Sequence, residues 1–151
     1  MSVSFVCTTD SVLAPERLFD LSLDIGAHTS SMQRSRERAV AGVTSGLIGL
    51  GEEVTWRAWH FGVPIRMTSR ITAFDRPRSF VDQQKRGPFR FFRHEHRFEP
   101  LPDGAGTRMT DHVSFAAPFG PFGRLVEKLV LARYLERLIR ERNAYLQPLS
   151  A

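Results

Sequence analysis

The chain has 151 residues, 42% apolar and 25% charged, which suits one globular domain with a real core and excludes a disordered chain. No apolar run is long enough to cross a bilayer, and no basic stretch precedes an apolar one at the N-terminus, so neither a membrane span nor a signal peptide is expected. The formal net charge is +5, but its arginines are scattered among Asp and Glu, so they read as a solvated surface rather than a nucleic-acid footprint.

Residues 3–9 are β-branched and aromatic and predict a strand, with residues 10–15 turning after it. Pro15 suits the first position of a helix, and Glu16 in the first turn favours the helix dipole. Leu18, Phe19 and Leu23 give this helix its apolar side, Gly26 ends or bends it, and a second helical turn is predicted over residues 27–32. Residues 34–41 read as a polar edge strand, and the glycine-rich segment 42–51 turns the chain. Strands follow at residues 52–61, 65–74, 79–85, 89–99 and 107–115. The turn chemistry between them is Gly62-Val63-Pro64, Asp75-Arg76-Pro77, Gly87-Pro88 and Pro100-Leu101-Pro102-Asp103-Gly104.

Residues 118–123 then lead into a long helix over residues 124–147, which contains neither Gly nor Pro. Leu131, Leu135, Leu138, Arg142 and Leu146 share one stripe of that helix, while Leu125, Val126, Leu129 and Val130 lie roughly opposite. One stripe must face the sheet. The other is expected to pack under segment 42–51 and the short helices, or to meet a second subunit, so the chain is a monomer or a homodimer. The order predicts one α+β domain over residues 1–151, with an antiparallel meander of about seven strands curved around the C-terminal helix.

Strand alternation sorts the faces. Val54, Trp56, Ala58 and His60 share one side of their strand, and Ile65, Met67, Ser69 and Ile71 share one side of the next. Phe80, Asp82 and Gln84 follow, then Phe92, His94, His96 and Phe98, then Met109, Asp111, Val113 and Phe115. The opposite faces are rich in Arg and Thr, so these sets point inward. The inner face thus carries a polar group among apolar walls: His60, Ser69, Asp82, Gln84, His94, His96 and Asp111.

Buried polar groups need partners, and three arrangements supply them. Asp82 or Asp111 could bond His94 or His96 in a self-satisfied network, the set could orient a ligand, or it could form an acid–base dyad or metal site. His94-x-His96 places two imidazoles on one face, which suits zinc. A third ligand would have to come from a distant strand with no spacing to support it, so no metal and no cofactor are expected. Serine-hydrolase, P-loop and dinucleotide motifs are absent from the sequence. The single Cys7 excludes an intramolecular disulfide framework, reads as a small buried hydrophobe and suits a reducing cytoplasm.

The element order and several strings resemble the START-like, or SRPBCC, superfamily, which includes polyketide cyclases and the major birch pollen allergen. The strings are Asp75-Arg76-Pro77, Phe80-Val81-Asp82, Gly87-Pro88-Phe89, His94-Glu95-His96-Arg97-Phe98, Gly106-Thr107 and Pro118-Phe119-Gly120. The resemblance covers the whole chain and implies a helix-grip fold with a pocket between sheet and C-terminal helix. It does not imply one activity, because the fold hosts carriers, receptors and enzymes. No Cys-x-His Rieske pattern is present, which excludes the oxygenase branch.

The expected function is binding of a small hydrophobic molecule, lipid-like, aromatic or polyketide-like, without stable membrane association. Trp56, His60, Met67, Ser69, Phe80, Asp82, Gln84, Phe92, His94, His96, Phe98, Asp111, Val113 and Leu129 are the expected pocket residues. The alternatives are a cyclase or dehydratase using His94 or His96 with Asp82 or Asp111, and an interaction domain whose pocket is filled.

Overall fold

The structure is a computed structural model that describes residues 2–117 and 130–146. Its elements run β1 (Val3–Ser11), α1 (Pro15–Leu23), α2 (Ile25–Ser31), a 3-10 turn at Gln33–Ser35, and β2 (Arg38–Gly42). β3 (Glu53–His60), β4 (Val63–Asp75), β5 (Ser79–Arg86), β6 (Phe91–Pro100) and β7 (Thr107–Ala116) follow, and then α3 (Ala132–Leu146). The strands form one seven-stranded antiparallel sheet in the order β1-β7-β6-β5-β4-β3-β2, with α3 packed on its inner face. This is the helix-grip arrangement.

Local chemistry explains most boundaries. Pro15 opens α1, and Leu18, Phe19 and Leu23 are its buried residues. α1 stops at Leu23 rather than at Gly26, because the Asp24 carboxylate accepts the Ala27 N–H at 2.9 Å and so starts a new helix. The predicted turn after residue 9 comes later, since Asp10 and Ser11 pair with Arg108 and Thr107. Gly106 and Thr107 secure this end of the sheet. Thr107 Oγ1 donates to the Leu13 carbonyl at 2.7 Å, and Gly106, at φ +132°, lies so close to the Ser11 carbonyl that a side chain would collide with it.

The predicted edge strand over residues 34–41 is only partly formed. The Ser35 hydroxyl donates to the Met32 carbonyl and Arg36 adopts a left-handed conformation (φ 53°), so the chain curls before β2 begins at Arg38. β2 does lie at the sheet edge. β6 begins at Phe91 rather than residue 89, because the Gln84 amide clasps the Phe89 backbone on both its N–H (3.1 Å) and its C=O (2.7 Å) and holds it in the turn.

Three covers lie on the inner face of the sheet. α1 covers one end, where the Phe19 ring meets Phe74, Phe80 and Phe98 edge-on at 5.3–5.4 Å between centroids. Segment 42–51 packs against α1 and α2 through backbone bonds from Ile25 to Gly46 and from Ile48 to Leu23, burying Ile48. α3 covers β1 and β7, with Leu131, Leu135 and Ile139 against Cys7, Val113 and Phe115. The Leu131–Leu146 stripe therefore faces inward. The opposite stripe, Leu125, Val126 and Leu129, and the segment over residues 118–123 lie outside the described residues. Val130 is exposed. Among the described residues no helix is long and apolar enough to cross a membrane.

Candidate functional site

A half-open cavity of about 170 Å³ remains between α1–α2, the sheet and α3. Its apolar walls include Leu23 and Ile25 from the short helices, Trp56, Met67 and Ile71 from the sheet, and Leu135 and Leu138 from α3. At one end the walls become polar: Asp82 from β5, His94 and His96 from β6, and Arg142 from α3. A second polar pair, His28 and Glu37, lines another part, with His28 Nε2 2.7 Å from Glu37 Oε1 and its ring 4.4 Å from that of Trp56.

Register brings the first polar cluster together. Asp82 lies opposite His94 across the β5–β6 ladder, and His96 lies opposite Asp111 across the β6–β7 ladder. His94 Nε2 is 2.7 Å from Asp111 Oδ1, and His96 Nε2 is 2.8 Å from Asp82 Oδ2. His96 Nδ1 is 3.2 Å from Asp111 Oδ1, and His94 Nδ1 is 4.0 Å from Asp82 Oδ2. The two imidazoles stack at 3.7 Å, and Phe80 stacks on His96 at 4.1 Å.

α3 completes the cluster from above. Asn143 Nδ2 donates to Asp111 Oδ2 at 2.7 Å and to Thr9 Oγ1 at 3.1 Å. The buried Arg142 donates through Nε to Asn143 Oδ1 at 3.2 Å, and its Nη2 lies 3.5 Å from His96 Nδ1 and 3.7 Å from Asp111 Oδ1. No buried side-chain polar atom among the described residues lacks a partner. The self-satisfied network is therefore present, and Asp82, His94 and His96 within it also line the cavity.

Electrostatics sets the proton positions. Burial alone would raise the Asp111 carboxyl, but hydrogen bonds from His94 and His96 and the Arg142 charge outweigh it and hold the group well below the usual carboxylate range. Asp82 is lowered by the same balance, burial opposed by the His96 hydrogen bond and by the Arg142 charge. The His94 imidazole is lowered, first by burial and then by the neighbouring His96, against the pull of Asp111. A neutral His94 facing an ionised Asp111 must carry its proton on Nε2, which leaves a lone pair on Nδ1.

Several expected pocket residues lie elsewhere. His60 points inward but bonds the Tyr134 hydroxyl of α3 at 2.6 Å, beyond the cavity. Gln84 turns to the Gly87–Phe89 turn instead. Phe98 is sealed under α1 against Phe19, and Val113 under α3 beside Ile139. Asp111 is fully buried behind the two histidines rather than on the wall. Leu129 lies outside the described residues. The third metal-ligand type that the sequence reading could not locate is Asp82, which the ladder sets beside the histidine pair.

Arg142 and Asn143 were not expected in the cluster. Arg142 carried a legible signal, as a charge placed on an otherwise leucine-lined stripe. Nothing in the sequence marked Asn143, His28 or Glu37.

The family model described as "Polyketide cyclase / dehydrase and lipid transport" matches residues 2–149. A Thermus thermophilus protein, TTHA0849, shares the fold at 20% identity and TM-score 0.75, over 99% of this chain and 100% of that one. A START superfamily protein from Mycobacterium smegmatis aligns at 14% identity and TM-score 0.72, over 98% of each chain. The Zhui aromatase/cyclase from Streptomyces sp. R1128 aligns at 13% identity and TM-score 0.71, over 100% of this chain and 98% of that one. No functionally curated protein matches the sequence. At these identities the structures establish the fold, and the family match over nearly the whole length establishes membership: the chain belongs to the polyketide cyclase / dehydrase and lipid transport family.

Proposed function

We propose that the protein binds a small, mostly apolar molecule in this cavity, its polar end against Asp82, His94 and His96. One observation carries the reading: a half-open cavity of about 170 Å³ whose walls are mostly apolar, with its densest polar cluster at one end. Apolar walls with a few convergent polar groups are the usual make-up of a ligand site. A dry apolar cavity of about 150 Å³ accepts a benzene-sized guest, so a ligand with one ring seated at the polar end is the right scale. The family description, which names polyketide chemistry and lipid transport, supports the same class of molecule.

The test is titration with 4-nitrophenol, followed through quenching of Trp56, together with native mass spectrometry of protein purified from its own host. Saturable quenching that Trp56→Phe removes and Ser69→Leu weakens is the expected result. Folded protein that neither quenches saturably nor carries a co-purifying molecule overturns the reading and favours an interaction domain with a filled core.

A second reading, catalysis of the cyclase or dehydratase kind, rests on the free lone pair of His94 Nδ1 beside the cavity. A neutral imidazole held by a buried carboxylate is a competent general base. It would take a proton from the carbon next to a ligand carbonyl and, as the imidazolium, pass that proton to the departing β-hydroxyl, so that water leaves, the carbon–carbon double bond forms and His94 ends neutral. Turnover of a β-hydroxy ketone probe, lost in His94→Gln while 4-nitrophenol binding persists, is the result this reading requires.

A further inference from the structure

We propose that Asp82, His94 and His96 form a binding site for a divalent transition-metal ion, best suited to zinc, with its open coordination position facing the cavity.

Among the described residues this is the only cluster of three or more ligand-type side chains, and the three donor atoms lie within 4.8 Å of one another. The ladder explains why they converge. His94 and His96 are two apart on β6 and project to one face, and Asp82 is the direct cross-strand partner of His94. Bonds of about 2.0–2.2 Å in a tetrahedral site set ligand atoms roughly 3.4 Å apart. The two contacts to Asp82 Oδ2, 2.8 Å from His96 Nε2 and 4.0 Å from His94 Nδ1, bracket that spacing. Rotations of one or two side chains close the difference.

What surrounds the ligands adds a second, independent argument. Ligating histidines normally anchor their other nitrogen on a carboxylate or carbonyl. Here a single carboxylate does this for both: Asp111 Oδ1 is 2.7 Å from His94 Nε2 and 3.2 Å from His96 Nδ1, the two nitrogens that face away from Asp82. Asp111 is itself completely buried and held by Asn143. A lone His–Asp pair would need neither the second imidazole nor the shared carboxylate behind it. The Arg142 guanidinium, a competing cation, approaches His96 at Nδ1, the nitrogen that also faces Asp111, rather than at Nε2, which faces Asp82.

Two imidazole nitrogens and one carboxylate oxygen suit zinc or a neighbouring transition metal better than magnesium or calcium, which favour oxygen ligands. All three ligands line the cavity, so a fourth position would open toward its contents. Three protein ligands and one open position is the pattern of zinc centres that act on a bound molecule rather than brace a fold.

The test uses the full chain, stripped with EDTA and titrated calorimetrically with zinc chloride, with cobalt absorption as a spectroscopic reporter. Zinc alone is the probe, so the outcome is independent of whether the cavity takes an organic ligand. The expected result is one zinc site per chain, lost in Asp82→Asn and in His94→Gln, retained in His28→Ala, and weakened about 10–100-fold in Asp111→Asn. Circular dichroism on each variant separates lost metal from lost fold. Folded wild type that takes up no zinc at micromolar concentration, or uptake unchanged by His94→Gln and Asp82→Asn, overturns the proposal.

Discussion

Asp111→Ala tests the cluster most directly. Asp111 has no solvent exposure and accepts hydrogen bonds from His94 and Asn143 while facing Arg142 at 3.7 Å. Removing its carboxylate strands two N–H donors and leaves the buried Arg142 guanidinium without its closest counter-charge. Breaking a buried ion pair from one side costs about 3–5 kcal/mol. Against a typical stability of about 5–15 kcal/mol that is a large fraction. At about 2–4 °C per kcal/mol for a domain of this size, the melting temperature should fall by roughly 6–20 °C. Urea unfolding of EDTA-treated protein, followed by circular dichroism, measures the loss. Adding Arg142→Met to Asp111→Ala removes the stranded charge and should recover about 1–3 kcal/mol of coupling energy. A loss under about 1 kcal/mol, or a double variant no better than Asp111→Ala alone, would show that the cluster does not act as a coupled charge network.

Acid should erode stability in two stages, because folding lowers the His94 imidazole and also the Asp82 and Asp111 carboxyls. In each case the unfolded chain binds more protons. The His94 contribution is therefore complete above about pH 6.5 and erodes below it, and the carboxylate contribution erodes only below about pH 4. Urea midpoints that do not change between about pH 7.5 and 5, a range spanning the reference histidine value, would contradict the first stage. Asp24→Ala removes the cap that starts α2 and should cost about 1 kcal/mol in urea unfolding; an unmoved midpoint would show that the cap contributes nothing. Gly106→Ala should cost about 1–3 kcal/mol or more, because its backbone conformation is strained for any side chain and the Ser11 carbonyl blocks the new Cβ. Gly46→Ala, left-handed but with open space around it, should cost less than Gly106→Ala when the two variants are compared by urea unfolding.

Much of the architecture was legible in the chain. Alternation over residues 65–74 and 107–115, turn chemistry at each break and the Gly-free C-terminal stretch determined the strand order, the helix and which faces point inward, because these signals are local. The inward polar set was legible for the same reason: His94, His96, Asp82 and Asp111 fall on the core side when each strand's alternation is followed. What alternation alone could not decide was which inward residues a cavity touches. Phe98 and His94 share one face of β6, yet α1 seals the first while the second lines the open space. That difference depends on where α1 and α3 lie across the sheet, a matter of packing between elements distant in sequence. The pairing of Asp82 with His94, and of both histidines with Asp111, likewise required the register of two ladders, which no local spacing encodes. Arg142 and Asn143 joined the cluster only because α3 docks with that turn above β6 and β7. A side chain's direction is written in the chain, but its partner is decided by the surface that folding brings against it.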